Sequence, residues 1–287
     1  MDAFTEKPFG GNPAAIVVCP DCFPTDSLMQ KVAREINLSE TAFLVKIDER
    51  QYDIRYWTPS AEVELCGHAT LAASHLLYEL GIVEDEDGNG IAFNAKGGRL
   101  KASRTPHDGR ICMVFPSHEP VECDIDKAVI DGLSVGVDQV VHFAKTMQND
   151  YFVVFRTQQE IENIRPNFTI LANVPCHRGI IVTAARQETE NNGGDSSSID
   201  FVSRFFGPAV GILEDPVTGS AHCALGPYWS RILQKSAVVG KQLSERAGIV
   251  QCQLSSSHQE REACCEQVEI SGSAILVSKS TFLCEMH

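Results

Sequence analysis

The sequence predicts an α+β fold made of two similar halves. Three observations carry this. Strand-like segments outnumber helical ones and do not alternate with them as βαβ units would. Two segments, "CGHATLAASHLL" and "TGSAHCALGPYW", are apolar nearly all round, the pattern of a helix buried inside its domain. The glycines that open them, Gly67 and Gly219, lie about half the chain apart, which points to a duplicated architecture. Each half should wrap a curled, mostly antiparallel sheet around one central helix, at about 68–80 in the first and 220–234 in the second. The halves are expected at 1–118 and 119–273, with 274–287 returning as a strand to complete the first.

The other elements follow in order. "TDSLMQKVAREI" places Leu28, Met29, Val32, Ala33 and Ile36 on one face, with Asp26 in the first turn, an amphipathic helix ending near Asn37. "TAFLVKI" and "YDIRYW" read as strands, the second stopped by Thr58-Pro59-Ser60. "IAFNAKGGRLKAS" is a hairpin around Lys96-Gly97-Gly98, and "ICMVFP" is a strand stopped by Pro116. The acidic, weakly patterned stretch from Ser117 to Ser134 is the expected crossing between halves. Beyond it "VVHFA", "YFVVFR", "GIIVTAA" and "IDFVSRFF" read as strands, "PNFTILANV" as a helix and "QETENNGGDSSS" as a polar loop. "QVEISGSAILVS" reads as a hairpin turning at Ser271-Gly272-Ser273.

Composition bounds the function. With 287 residues, 43% hydrophobic, the chain can bury one large or two medium cores. No apolar run reaches the roughly 18 residues of a spanning helix and "MDAFTEKPFGG" lacks the features of an export signal, so a soluble, cytoplasmic protein is expected. A net charge of −14 repels phosphate backbones and anionic lipid, which disfavours nucleic-acid and membrane partners. The 11 cysteines have no framework spacing, and Cys19 and Cys22 in "CPDC" have no second pair at zinc-ribbon distance, so reduced thiols are expected.

A small anionic metabolite remains as a partner. The N–H groups at the start of a buried helix cannot all stay unpaired, and small residues there let a ligand approach the backbone. If residues 67–70 and 219–222 face each other across a cleft, they form a site for a carboxylate. Taken one at a time, Gly67 and Gly219 could equally make turns, and Ser220 could be an ordinary N-cap. Groups able to move protons lie nearby: Glu40 in "NLSETAF", Cys66 and His68 in "CGH", Glu214 and Asp215 in "EDP", and Ser220. Glu40 stands where a helix hands over to an apolar strand, a junction that can partly desolvate a carboxyl and fit it for general-base work.

"DAFTEKPFGGNPAAIVV", "INLSETAFLV", "WTPSAEVELCGHATLAA", "FVSRFFGPAVGILEDPVTGSAH" and "QLSERAG" resemble, in that order, the motifs of the PhzF (phenazine biosynthesis-like) family. The resemblance spans essentially the whole chain and looks closest to the family's eukaryotic branch. It implies the diaminopimelate epimerase-like fold, two pseudo-symmetric domains with the site between them. It also implies a proton-shifting Glu40, and His68, Asp215 and Ser220 holding the substrate and assisting proton traffic. Gly67, Ala69, Thr70, Thr218 and Gly219 are the accompanying substrate-binding positions. No metal or organic cofactor is implied, and a homodimer is. Three departures stand out: Met1 directly precedes "DAFT", where the family has an apolar strand; Ala247 stands where "RGG" has glycine; and Pro227 should kink the second central helix.

The expected activity is a cofactor-independent isomerase moving a proton within a small carboxylated, cyclic or unsaturated metabolite, with Glu40 as single acid/base. One base suits a shift on one face of the substrate. Racemases and epimerases of the same fold need two opposed thiols. Cys66 could be the first, but Thr218 occupies the matching position and Cys223 lies a turn further in, so an amino-acid racemase using Cys66 is the alternative. A catalytically inactive binding or scaffold protein is the third reading.

Overall fold

The computed structural model describes residues 1–84, 88–176, 178–186, 199–255 and 267–282; the expected polar loop at 187–198 and the last residues of the expected C-terminal strand lie outside these. The chain divides into two compact units, Met1–Val114 with Ser271–His287, and Phe115–Ile270. No helix among the described residues is long and apolar enough to cross a membrane.

The first unit contains β1 (Asp2–Ala3), β2 (Asn12–Cys19), α1 (Asp26–Ile36), β3 (Glu40–Asp48), β4 (Gln51–Trp57), β5 (Glu62–Val63), α2 (Gly67–Glu79), β6 (Ile91–Ala95), β7 (Gly98–Arg104) and most of β8 (Ile111–Pro116). Thr25 caps α1, its hydroxyl accepting from the Leu28 N–H at 3.3 Å, and Asn37 closes it in the left-handed conformation. Met29 and Ala33 on its inner face pack with Cys19, Phe43, Val45 and Trp57. β2 runs parallel to β3, β3 antiparallel to β4, β4 parallel to β6 and β6 antiparallel to β7, with β5 folded back on β4. β1, the first two residues of "DAFT", pairs with β2 and with the short strand Ala274–Ile275. α2 packs against β1, β2, β3, β7 and that short strand, and its side chains are buried around nearly the whole circumference. That is the reason the segment carries no polar face.

The second unit contains β9 (Val121–Glu122), α3 (Lys127–Leu133), β10 (Val140–Lys145), β11 (Tyr151–Phe155), α4 (Gln158–Asn163), α5 (Phe168–Leu171), β12 (Ile180–Ala185), β13 (Phe201–Gly207), β14 (Ile212–Asp215), α6 (Gly219–Leu233), β15 (Ala237–Gln242), β16 (Gly248–Ser255) and most of β17 (Gln267–Gly272). Its ladder repeats that of the first unit. β11 runs parallel to β12, β12 antiparallel to β13, β13 parallel to β15 and β15 antiparallel to β16, with β14 folded back on β13. α6 follows β14 as α2 follows β5 and packs on β15 and β16. β3 and β12 are therefore topological counterparts, as are α2 and α6.

Several local expectations needed correction. The stretch 117–134 holds α3, whose Val129, Ile130 and Leu133 are buried under an Asp126 cap. "PNFTILANV" forms only the single turn of α5, and the "TQQE" before it makes a capping box that starts α4: the Thr157 hydroxyl accepts from Glu160 N–H, and Glu160 accepts from Thr157 N–H. Pro227 sits inside a continuous α6. The carbonyl it leaves without an intrahelical donor, that of Cys223, accepts the His118 N–H at 3.0 Å.

Ala247, in the link from β15 to β16, has φ of 52°, the left-handed region where an L side chain is strained and glycine is not. The departure from "RGG" thus falls on a position that favours glycine. Ala247→Gly is expected to stabilise the protein by about 0.5–1 kcal/mol, the relief of that strain less the added freedom of the unfolded chain. A thermal midpoint raised by a degree or two would show it, and an unchanged or lower midpoint would contradict it.

Candidate active site

In the first unit, α1 ends at Asn37 and the chain turns through Leu38 and Ser39 into β3, with Glu40 opposite Ala14 of β2. The strand beyond, Thr41–Val45, is buried, so Glu40 stands at the margin of a dry interior with its side chain 12% exposed. α2 begins at Gly67 after Cys66, an extended N-cap whose side chain makes no capping hydrogen bond. Its first turn sets His68, 9% exposed, beside Glu40, with Nε2 and Oε2 3.2 Å apart. The Cys66 Sγ lies 3.4 Å from Nδ1 of the same ring. Contact with His68 is close but not aligned as a hydrogen bond, and the buried Glu40 Oε2 has no hydrogen-bond partner among the described residues.

Burial opposes a charged His68, but the adjacent Cys66 sulfur and Glu40 carboxylate outweigh it and hold the imidazole well above its ordinary pKa. The Cys66 thiol is pushed up, first by burial and then by the Glu40 charge, against the pull of His68 and the Ala69 N–H. Glu40, His68 and Cys66 thus form one coupled cluster of carboxyl, imidazole and thiol at the start of α2. Thr70 is fully occupied beneath it. Its N–H and hydroxyl both donate to the Cys66 carbonyl, at 3.1 and 2.7 Å, and its oxygen lies 2.6 Å from the Tyr56 hydroxyl. The substrate contact expected of Thr70 has no donor to serve it; the residue holds the start of α2 in place, below Gly67 and the buried Ala69.

In the second unit the loop "EDPVTG" leads into α6. Glu214 is taken by Arg204, bound through both its oxygens at 2.8 and 2.9 Å. Thr218 donates its hydroxyl to Asp215 Oδ2 at 2.5 Å and its N–H to Gln242 Oε1 at 2.9 Å. The Gln242 amide returns to the Asp215 carbonyl at 2.8 Å, and Ser244 donates to the Pro216 carbonyl at 2.7 Å. The "QLSERAG" motif thus buttresses the loop that presents Asp215, Gly219 and Ser220. Ser220 accepts from Arg178 Nη1 at 2.6 Å, a bond that leaves the hydroxyl proton unspent. Arg178 in turn is held by the fully buried Asp150, which also accepts the backbone N–H of Arg178 at 2.9 Å and of Gly179 at 3.2 Å.

Arg178 and Asp150 were not anticipated from the sequence. They sit 28 residues apart, in no recognisable motif. Topology gives them meaning: Arg178 just precedes β12 and reaches the first turn of α6, as Glu40 opens β3 and reaches the first turn of α2. One helix start is attended by an acid, its counterpart by a base.

His222, also in α6, is wholly buried, with Nδ1 2.8 Å from the Thr218 carbonyl, so Nδ1 carries the proton and Nε2 has no partner among the described residues. Burial pushes its pKa down to about 4, only partly opposed by the Thr218 carbonyl. The unfolded chain, with an ordinary value of about 6.5, binds more protons in between. Stability from this residue is present above about pH 6.5 and is lost as pH falls toward 4. The thermal midpoint of the wild type is expected to fall faster over that window than that of His222→Gln; parallel curves would refute the assignment.

The family model for phenazine biosynthesis-like protein, PhzC-PhzF, matches residues 1–280. A relative in Pseudomonas aeruginosa, named an uncharacterized isomerase, is 41% identical over 97% of this chain and 95% of its own. The mouse phenazine biosynthesis-like domain-containing protein 1 is 33% identical over 98% and 96%, fewer shared residues than the bacterial protein has. The crystal structure of a PhzF-family phenazine biosynthesis protein from Enterococcus faecalis superposes with a TM-score of 0.82 at 33% identity, covering 96% and 95% of the two chains. Likeness of fold alone extends to a hydroxyproline epimerase from Agrobacterium vitis, at 10% identity and a TM-score of 0.53 over 87% and 79%. Sequence, topology and superposition agree: the chain belongs to the PhzC-PhzF family of phenazine biosynthesis-like proteins, isomerase-like enzymes with the diaminopimelate epimerase-like fold.

Proposed function

We propose that the protein is an isomerase that moves a proton within a small carboxylated metabolite, cyclic or unsaturated, using Glu40 as its only acid/base. The observation that carries this reading is the half-dry Glu40 carboxylate paired with His68 at the start of α2. In the proposed step, a substrate C–H bond breaks and its proton passes to Glu40. The electron pair moves into the adjoining unsaturated system, and the protonated Glu40 returns the proton to another carbon on the same face. His68 steadies the carboxylate before transfer and orients it afterwards. In the first unit, Gly67 and Ala69 at the start of α2 are assigned to substrate binding; in the second unit Asp215, Gly219 and Ser220 are the residues so assigned, with Thr218 fixing Asp215. Side chains alone supply the chemistry, and the protein is taken to act as a homodimer.

The thiol alternative has less support. Burial raises the pKa of Cys66, and takes Cys223 up to about 12, so neither is poised to lift a proton from carbon. The test is incubation in deuterium oxide with small cyclic unsaturated carboxylates, led by a dihydro-hydroxyanthranilate, followed by mass spectrometry for label at carbon. Label that appears with wild type and Cys66→Ala but not with Glu40→Gln supports the proposal. Label lost in Cys66→Ala and kept in Glu40→Gln would transfer the role to the thiol, and ligand binding without any exchange would leave a binding protein.

A further inference from the structure

We infer that the substrate's own carboxylate is held in the second unit by Arg178, with the Ser220 hydroxyl and the His118 imidazole completing the subsite. The duplicated fold then divides its labour, proton transfer in one half and anion binding in the other. The inference deepens the isomerase reading and rests on it for the identity of the ligand. Its first support is topological. Arg178 stands just ahead of β12 as Glu40 opens β3, the counterpart strand, and each reaches the first turn of the helix that its own unit buries. Arg178 Nη1 lies 2.6 Å from Ser220 Oγ in α6, and Glu40 Oε2 lies 3.2 Å from His68 Nε2 in α2. Where one copy of the architecture puts the proposed proton-transfer acid, the other puts a permanent cation.

The second support is what the guanidinium has left to give. Of its five N–H groups, those on Nε and one on Nη2 donate to Asp150 Oδ2 and one on Nη1 donates to Ser220, which leaves one on each terminal nitrogen without a partner among the described residues. Asp150 is fully buried, its other oxygen taken by the backbone N–H groups of Arg178 and Gly179, whereas Arg178 is 27% exposed, so a ligand can reach the cation and not the acid. The Phe205 ring backs the guanidinium, 5.8 Å from Cζ, and with Asp150 fixes it before any ligand arrives. Ser220 accepts from Arg178 and so keeps its own proton for a second bond. His118, whose N–H is tied to the Cys223 carbonyl of α6 at 3.0 Å, lines the same small cavity. Its Nδ1 is buried with no hydrogen-bond partner among the described residues, a position that an anionic oxygen would satisfy. A planar fork of donors matches a carboxylate, and the pairing with Asp150 leaves no surplus charge for a dianion such as phosphate. Because the carboxylate is charged before and after the proton shift, these bonds serve binding and not the chemical step.

The experiment measures binding by calorimetry in the full-length protein, without turnover, using benzoate and anthranilate against their neutral counterparts benzamide and anthranilamide. The wild type is expected to prefer each carboxylate about tenfold or more, the factor lost when a charged hydrogen bond is withdrawn. Arg178→Leu should reduce that preference to less than about twofold. Ser220→Ala removes one hydroxyl and leaves the ion pair with Asp150 intact, so it reports even if Arg178→Leu does not fold; it should cut the preference by about threefold or more. Arg178→Lys keeps the charge but not the fork and should retain part of the preference. Glu40→Gln should bind as the wild type does. Lost exchange with the carboxylate preference intact would therefore strike the isomerase reading and leave the subsite standing. The proposal is overturned if neither carboxylate binds, if the wild type binds acid and amide equally, or if inorganic phosphate binds more tightly than benzoate. A preference that survives Arg178→Leu in protein shown to be folded by circular dichroism, or that is untouched in Ser220→Ala, would overturn it as well.

Discussion

Glu40→Gln is expected to slow proton exchange at substrate carbon by about a thousandfold, within the range typical for losing a positioned general base. Glutamine matches glutamate in shape, so the margin of β3 and the packing of Thr41–Val45 are preserved while the proton-accepting oxygen is lost. The effect should fall on kcat far more than on KM, because the carboxylate is assigned to the reacting proton and not to the substrate's own carboxylate. His68→Asn should be milder, since the imidazole steadies Glu40 without itself taking the proton from carbon. The ordering is the decisive part. If His68→Asn abolishes exchange and Glu40→Gln retains a tenth or more of it, the base is the histidine, and the assignment of Glu40 is wrong.

The readability of this molecule followed from how local each signal was. α2 and α6 announced themselves because a helix buried on all sides leaves a composition that no surface helix shares, and their observed limits, Gly67–Glu79 and Gly219–Leu233, fall within a residue of those expected. Glu40 could be singled out because the break between an amphipathic helix and an apolar strand is visible in a short window. The short helices α3 and α4 were not visible in this way, since a turn or two carries too few residues for a period to emerge, and caps at Asp126 and Thr157 decide where they start. The hairpin of β15 and β16 was passed over for a related reason: "AVVGKQ" and "GIVQCQLS" interrupt their apolar runs with Gly240 and with glutamines. Gly240 is where Phe201 packs so closely that an added Cβ would meet its ring at 2.4 Å, a contact made by a residue far away in sequence. Gln242 likewise carried no message alone, because its partners, the Asp215 carbonyl and the N–H and hydroxyl of Thr218, are more than twenty residues away.

The hardest residue to foresee, Arg178, supports the second large prediction. Arg178→Leu should cost the protein about 3 kcal/mol, at the lower end of what breaking a buried ion pair costs, because Arg178 is 27% exposed while Asp150 is not exposed at all. The loss comes less from the attraction than from what is left behind: a carboxylate sealed in the interior with, among the described residues, the N–H groups at 178 and 179 to answer it. Asp150→Asn should be cheaper, since an amide still accepts from those N–H groups without a charge to compensate. The double variant should then lose less than the two single losses together, as coupled partners do. Thermal unfolding of the three proteins tests this, with a drop of about 6 °C or more expected for Arg178→Leu. Additive losses would show that Asp150 holds the loop on its own and that Arg178 reaches Ser220 without help. A second consequence separates support from mere stability. Since Ser220, proposed above as a substrate-binding residue, takes its hydrogen bond from Arg178, Arg178→Leu should on that proposal also raise KM in the exchange assay at temperatures well below unfolding, with kcat little changed.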